Sequence, residues 1–269
     1  MKFGSIDSLK LVFLAIAGIP IVSLSSSTFA VSCGDTVTEP EVLDKSIEVC
    51  LTSPAVTITD SGTLDLNGYI ISCSGSGIGV RILGTGRILN DSVGGNSIES
   101  CETGVSAEGN GAHFIQGINA ADNTLSGITL TSNSNFVLDS SSNKNAGIGL
   151  RVLGDFNQVI NSEMSDNLFP GIEIVGNSSV VNSNVTSSNA VSGIVIFGSD
   201  NSLIVGNTSN DNGTNGILME AYSQQGNVIT GNTTIDNVGN DLSDQNSPPC
   251  VGNVWIANIF GDANDACIQ

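Results

Sequence analysis

Positive charge is what this chain has least of: seven Lys and Arg residues and one His stand against 26 Asp and Glu, a net charge of -19 over 269 residues. A chain so acidic repels phosphate backbones and anionic bilayers. That excludes nucleic acid and membrane surfaces as partners, and admits a polyanionic sugar only through bound cations, of which calcium is the expected one. Aromatics are also scarce, at 4% of residues, so stacking platforms are few. No stretch after residue 30 carries the 3.6-residue apolar period of a helix, and none is apolar for long enough to span a bilayer. The one long apolar run, Leu11 to Leu24, is broken by Pro20, follows Lys2 and Lys10, and leads to Thr28-Phe29-Ala30. These are the parts of a secretory signal, with cleavage expected after Ala30.

Cysteine is sparing but placed: Cys33, Cys50, Cys73, Cys101, Cys250 and Cys267 all follow Ala30. No CxxC and no neighbouring His suggests zinc, and only Met164, Met219 and His113 could supply soft ligands for copper. Six thiols allow fifteen connectivities. Proximity along the chain selects Cys33–Cys50, Cys73–Cys101 and Cys250–Cys267, in a secreted, periplasmic or cell-surface protein. Acylation of Cys33 as a lipoprotein would leave an odd thiol.

What the chain has in abundance is repetition. A small residue, Gly and an apolar-x-apolar triplet recur at Gly77-Ile78-Gly79-Val80, Gly104-Val105, Gly127-Ile128-Thr129-Leu130, Gly147-Ile148-Gly149-Leu150, Gly171-Ile172-Glu173-Ile174, Gly193-Ile194-Val195-Ile196 and Gly216-Ile217-Leu218-Met219, with spacings of 20 to 27. Each phrase is followed by a second short apolar pair, such as Val159-Ile160 or Leu203-Ile204. Short β-branched runs bounded by Gly, Asn and Ser predict strands, and a fixed period near 23 predicts stacked supersecondary units. Asparagine repeats in step: Asn123, Asn145, Asn167, Asn189, Asn212 and Asn237 are separated by 22, 22, 22, 23 and 25, and a second column runs through Asn184, Asn207 and Asn232. An amide both donates and accepts, so stacked Asn residues predict internal ladders. Four of the six Asn-x-Ser/Thr sequons, those at Asn184, Asn207, Asn212 and Asn232, fall on these ladders and are expected to face inward, where no glycan fits.

Together with Cys33-Gly34-Asp35-Thr36-Val37, Leu64-Asp65-Leu66-Asn67-Gly68-Tyr69-Ile70 and the closing Gly252-Asn253-Val254-Trp255, these repeats resemble the right-handed parallel β-helix proteins of the pectin lyase-like superfamily. The resemblance covers Cys33 to Gln269. It implies an all-β right-handed parallel β-helix (β-solenoid) of about nine or ten coils. The domain boundaries that follow are a signal peptide at 1–30, an N-terminal cap and first coils at 31–76, repeats at 77–245 and a C-terminal cap at 246–269, both caps braced by disulfides. Trp255 and Phe260 are expected to pack the second cap.

The strings that carry catalysis in the superfamily's enzymes are missing, so no catalytic site is assigned with certainty and the enzyme reading is the weaker one. Aligning the phrases on their first glycine sets Arg81, Glu108, Thr131, Arg151, Val175, Phe197 and Glu220 in one outward column. Gly79, Ser106, Thr129, Gly149, Glu173, Val195 and Leu218 form the column beside it. Arg151 and Glu173, diagonal neighbours in that alignment, and Arg81 are the candidates for a diverged polysaccharide lyase or hydrolase site, against the plain reading of a surface ion pair. Val175, Val195, Phe197 and Leu218 make an outward apolar set, a binding or oligomer surface unless the C-terminal tail covers it. His113 stands alone and reads as a turn or core position. The leading functional expectation is a rigid surface for extracellular carbohydrate or protein, with no recognisable catalytic site; a structural envelope or coat component is the third.

Overall fold

The computed structural model describes residues 30–92 and 95–269; the expected export signal, Ala30 apart, lies outside the described residues. From Asp35 the chain winds through three strand positions per turn. Sheet A begins with Asp35–Val37 and stacks ten parallel strands up to Leu242–Asp244. Sheet B begins with Pro40–Val42 and stacks ten more up to Val254–Ile256. Sheet C has four strands between Ile47–Cys50 and Ala120–Ala121, then continues as single-residue bridges through Ser141, Glu163, Val185, Thr208 and Thr233. No helix occurs among the described residues. The result is an all-β parallel solenoid of ten coils, about 43 Å long at about 4.8 Å per coil.

Alternation along each short strand sets what lies inside. Sheet B sends one residue per coil inward, such as Val159, Val181, Ile204 and Ile229, and sheet A sends two, such as Ile172 with Ile174 and Ile194 with Ile196. All are essentially sealed from solvent. Each buried Val or Ile contributes about 1.5–3 kcal/mol by leaving water, and the columns align because every strand pairs in register with the next.

That register corrects the glycine alignment. Val80, Val105, Ile128, Leu150, Ile172, Ile194 and Ile217 are successive partners, so the glycines preceding them are Gly79, Gly104, Gly127, Gly149, Gly171, Gly193 and Gly216. In the two phrases that contain two glycines it is the second, not the first, that keeps the register. The spacing becomes 25, 23, 22, 22, 22 and 23. The physical reason is steric. A Cβ at Gly149, Gly171, Gly193 or Gly216 would stand 2.7 to 2.8 Å from the side-chain amide nitrogen of Asn167, Asn189, Asn212 or Asn237.

The asparagine ladder is thus what the glycine column makes room for. Nδ2 of Asn123, Asn145, Asn167, Asn189 and Asn212 each donates to Oδ1 of the next at 3.0 to 3.1 Å, and also to a backbone carbonyl of the preceding coil. The last rung, Asn237, donates to the carboxylate of Asp241 at 2.8 Å. The second ladder runs through Asn184, Asn207 and Asn232 to Asn258. Asn184, Asn207, Asn212 and Asn232 are all buried, as their ladder roles require. A third column, absent from the sequence reading, passes from His113 through Asn135 to Asn157, and from Ser202 through Asn227 to Asn253.

The three disulfides are Cys33–Cys50, Cys73–Cys101 and Cys250–Cys267, the pairing that chain proximity selects. The first closes the opening coil on itself, and Cys73–Cys101 ties two neighbouring coils. At the far end Trp255 is buried and its Nε1 donates to Asp244 Oδ2 at 3.0 Å, so it packs rather than presents a sugar platform.

Candidate functional site

Sheet A carries the expected candidates, but in rearranged columns. Its first outward column is Arg81, Ser106, Thr129, Arg151, Glu173, Val195 and Leu218. Arg151 and Glu173 are therefore direct partners across one strand pair, not diagonal ones, and they form an ion pair through Arg151 Nε and Glu173 Oε2. Arg81 Nε pairs with Glu108 Oε1 at 3.1 Å, and Ser106 Oγ donates to the same carboxylate oxygen at 2.8 Å. Each candidate cation is thus held by a carboxylate on its neighbouring coil. These are the two ion pairs among the described residues, and none of their four residues lines the cleft described below.

The apolar set is also altered. Val195 and Leu218 keep only 4% and 7% of their surface exposed, Val175 and Phe197 are half-buried, and the Phe197 ring lies against Tyr222 with centroids 4.3 Å apart. A bare patch of four residues is not what the structure presents. The C-terminal tail extends the stack: Ile259–Phe260 pairs with Thr233–Thr234, and Ala263 bridges to Leu242 at the end of sheet A.

His113 is 1% exposed. Its Nε2 donates to the Glu108 carbonyl at 2.6 Å, while Nδ1 is buried without a hydrogen-bond partner. Burial pulls its imidazole below the ordinary value, an effect the carbonyls of Glu108 and Gly86 only partly oppose. No group of three or more His, Cys, Asp or Glu residues is placed to hold a metal among the described residues.

A concave feature lies elsewhere, at the corner between sheets B and C. There each coil turns through one residue in the left-handed region: Gly117 at φ 66°, Asp139 at 49°, Asn161 at 49°, Ser183 at 56°, Gly206 at 65° and Gly231 at 64°. Small, Asn, Asp and Gly residues tolerate that conformation best. The next residue points inward to the second ladder, and the one after points out again: Asn119, Ser141, Glu163 and Val185, which bridge one another coil by coil. The two outward columns flank a cleft of about 560 Å³ that runs along the rod axis across several coils. Within it Asn161 Nδ2 donates to Asp139 Oδ1 at 2.5 Å, and Ser141 Oγ to Asn119 Oδ1 at 2.9 Å. Beside it, on the outward face of sheet B, Leu138 and Ile160 are half-buried just before the corner residues, in a column that continues as Gln116 on one side and Asn182 on the other.

Sequence reasoning missed this cleft because its corner residues share a backbone conformation, not a chemistry. One signal was legible: the residue before each second-ladder Asn is Ser183, Gly206 or Gly231, types suited to a positive φ.

Residues 139–268 match the family model described as right handed beta helix region. Among solved structures, Dettilon tailspike protein is similar with a TM-score of 0.68 at 15% identity, covering 89% of this chain and 59% of that one. The periplasmic alginate epimerase AlgG is similar with a TM-score of 0.53 at 14% identity, covering 86% of this chain and 70% of that one. Pectate lyase Pel9A covers 80% of this chain and 71% of its own at 13% identity, with a TM-score of 0.45. At these identities the likeness is one of fold. No curated protein sequence matches the chain.

Proposed function

We propose that this chain, a parallel β-solenoid whose residues 139–268 match the right handed beta helix region model, binds an extended polysaccharide along the corner cleft, outside the cytoplasm and without catalysing a reaction on it. The observation that carries the reading is the axial cleft, where amide, hydroxyl and carboxylate groups stand on successive coils along two columns. A polymer laid along the axis meets a polar side chain on several coils in turn, so modest contacts add along its length. Asn119, Ser141, Asn161 and Ser183 supply donors and acceptors for sugar hydroxyls, and Leu138 with Ile160 offers an apolar flank to the C–H faces of the rings. Three disulfides fit an oxidising compartment, and polysaccharides are met there.

A catalytic reading draws less support, because Arg81 and Arg151 are each already paired with a carboxylate on the neighbouring coil. The deciding experiment is a polysaccharide array on the purified chain, with and without calcium, read for retention and for released product. Retention without product is the expected result. Product release would make the protein an enzyme, and silence on both would leave a protein-facing or structural role.

A further inference from the structure

The charge of the cleft bears on which polysaccharide it takes. Asp139 and Glu163 stand on neighbouring coils, one in each of the two outward columns, and no Lys, Arg or His lines the cleft with them. Asp139 receives the Asn161 amide, which leaves its charge in place, and the exposed Glu163 carboxylate has no hydrogen-bond partner among the described residues. Three of the cations are engaged on other faces, Arg81 with Glu108, Arg151 with Glu173, and Arg87 over the Phe114 ring, 5.7 Å from its centroid, while the exposed Lys144, three residues beyond Ser141, neither lines the cleft nor forms an ion pair with Asp139 or Glu163. The field of the whole chain has the same sign, at -19.

A polyuronate laid in this cleft brings a carboxylate beside a carboxylate. Calcium would relieve that only with six to eight oxygen ligands, and no group of three or more acidic residues gathers among the described residues. An ammonium group on a sugar meets the opposite situation, with an uncompensated carboxylate within reach on each of two successive coils. We infer that the cleft selects a glycan bearing free amino groups, a hexosamine polymer, over a uronic acid polymer. This inference rests on the polysaccharide-binding reading above and adds the substrate class to it.

Three hexamers of equal length separate the possibilities by titration calorimetry on the whole chain: β-1,4-glucosamine, β-1,4-N-acetylglucosamine and α-1,4-galacturonate, each in chelator and in calcium. The glucosamine hexamer should bind about tenfold tighter than its acetylated counterpart at low salt, and the margin should shrink in about 0.5 M NaCl as the charges are screened. The double variant Asp139→Asn, Glu163→Gln should remove that margin, so that the glucosamine hexamer binds no more tightly than its acetylated counterpart. Asn keeps the acceptor for Asn161 and tolerates the left-handed φ of position 139, so the coil is retained, which an unchanged unfolding midpoint verifies. Galacturonate binding as tight as glucosamine in either buffer, or a preference that survives the double variant, overturns the inference while the polysaccharide reading stands. Absence of binding to all three overturns the inference, and the array alone then decides the broader reading.

Discussion

At the residue scale, side-chain amides carry the interior. Asn167 accepts from the backbone and side chain of Asn145, and donates to the Ser142 carbonyl and to Asn189. Replacing it with Ala leaves several buried groups short of a partner at once. Asn167→Ala should cost about 2–4 kcal/mol of stability, seen as a lower urea midpoint, whereas Asn177→Ala at an exposed corner should cost under about 1 kcal/mol. Equal costs would mean that the ladder is decorative. His113 gives a second residue-scale test. Its imidazole is held below the ordinary 6.5 by burial, so as pH falls the unfolded chain takes up the proton first. Stability is therefore complete above about 6.5 and declines as pH falls towards the folded value. His113→Gln should flatten the decline in urea midpoint between pH 7.5 and 5.5; parallel slopes for variant and wild type would place the pH response in other groups. The ladders were legible because Asn repeats at a nearly fixed interval. The column through His113 was not, since it mixes His, Asn and Ser and shares only position.

At the scale of the repeat, strand identity was legible and register was not. Val159-Ile160 and Leu203-Ile204 fall within strands of sheet B. In Gly147-Ile148-Gly149-Leu150, by contrast, either glycine satisfies the phrase, and a slip of two residues keeps the same side chains outward. The choice is made by the Asn amide on the next coil, a contact with no trace in the local sequence. Two outward columns were misassigned in consequence, and Arg151 came out diagonal to a residue it faces directly. The same contact predicts an outcome for Gly171→Ala. The new Cβ would lie 2.7 Å from the Met164 carbonyl oxygen and 2.8 Å from Asn189 Nδ2, both held by ladder bonds or backbone. With no flexible group to give way, the change should destabilise by about 1–3 kcal/mol although it adds a methyl to a well-packed site and φ is not at issue. A thermal midpoint equal to that of the wild type would refute the account of the glycine column.

At the scale of the whole molecule, a stack of ten coils holds most of its charges on the outside of a narrow rod, with Asp241 and Asp244 buried at its far end. The 26 acidic residues are opposed by few cations, and two of those cations are already bound in ion pairs on sheet A. Carboxylates that recur on successive coils stand about 4.8 Å apart along a column, well inside the roughly 10 Å screening length at 0.1 M salt. Folding brings these charges together and the unfolded chain spreads them, so self-repulsion works against the native rod. Sodium chloride should therefore raise the thermal midpoint by a few degrees, about 2–5 °C, between 10 mM and 0.2 M, then level off as screening saturates. Sodium sulfate compared at equal ionic strength separates this from burial effects, which sulfate strengthens and which continue to grow with concentration. A midpoint indifferent to sodium chloride would mean that the carboxylates lie far enough apart to ignore one another. The cleft could then no longer draw on the field of the chain, and Asp139 and Glu163 alone would have to set its preference for an amino sugar.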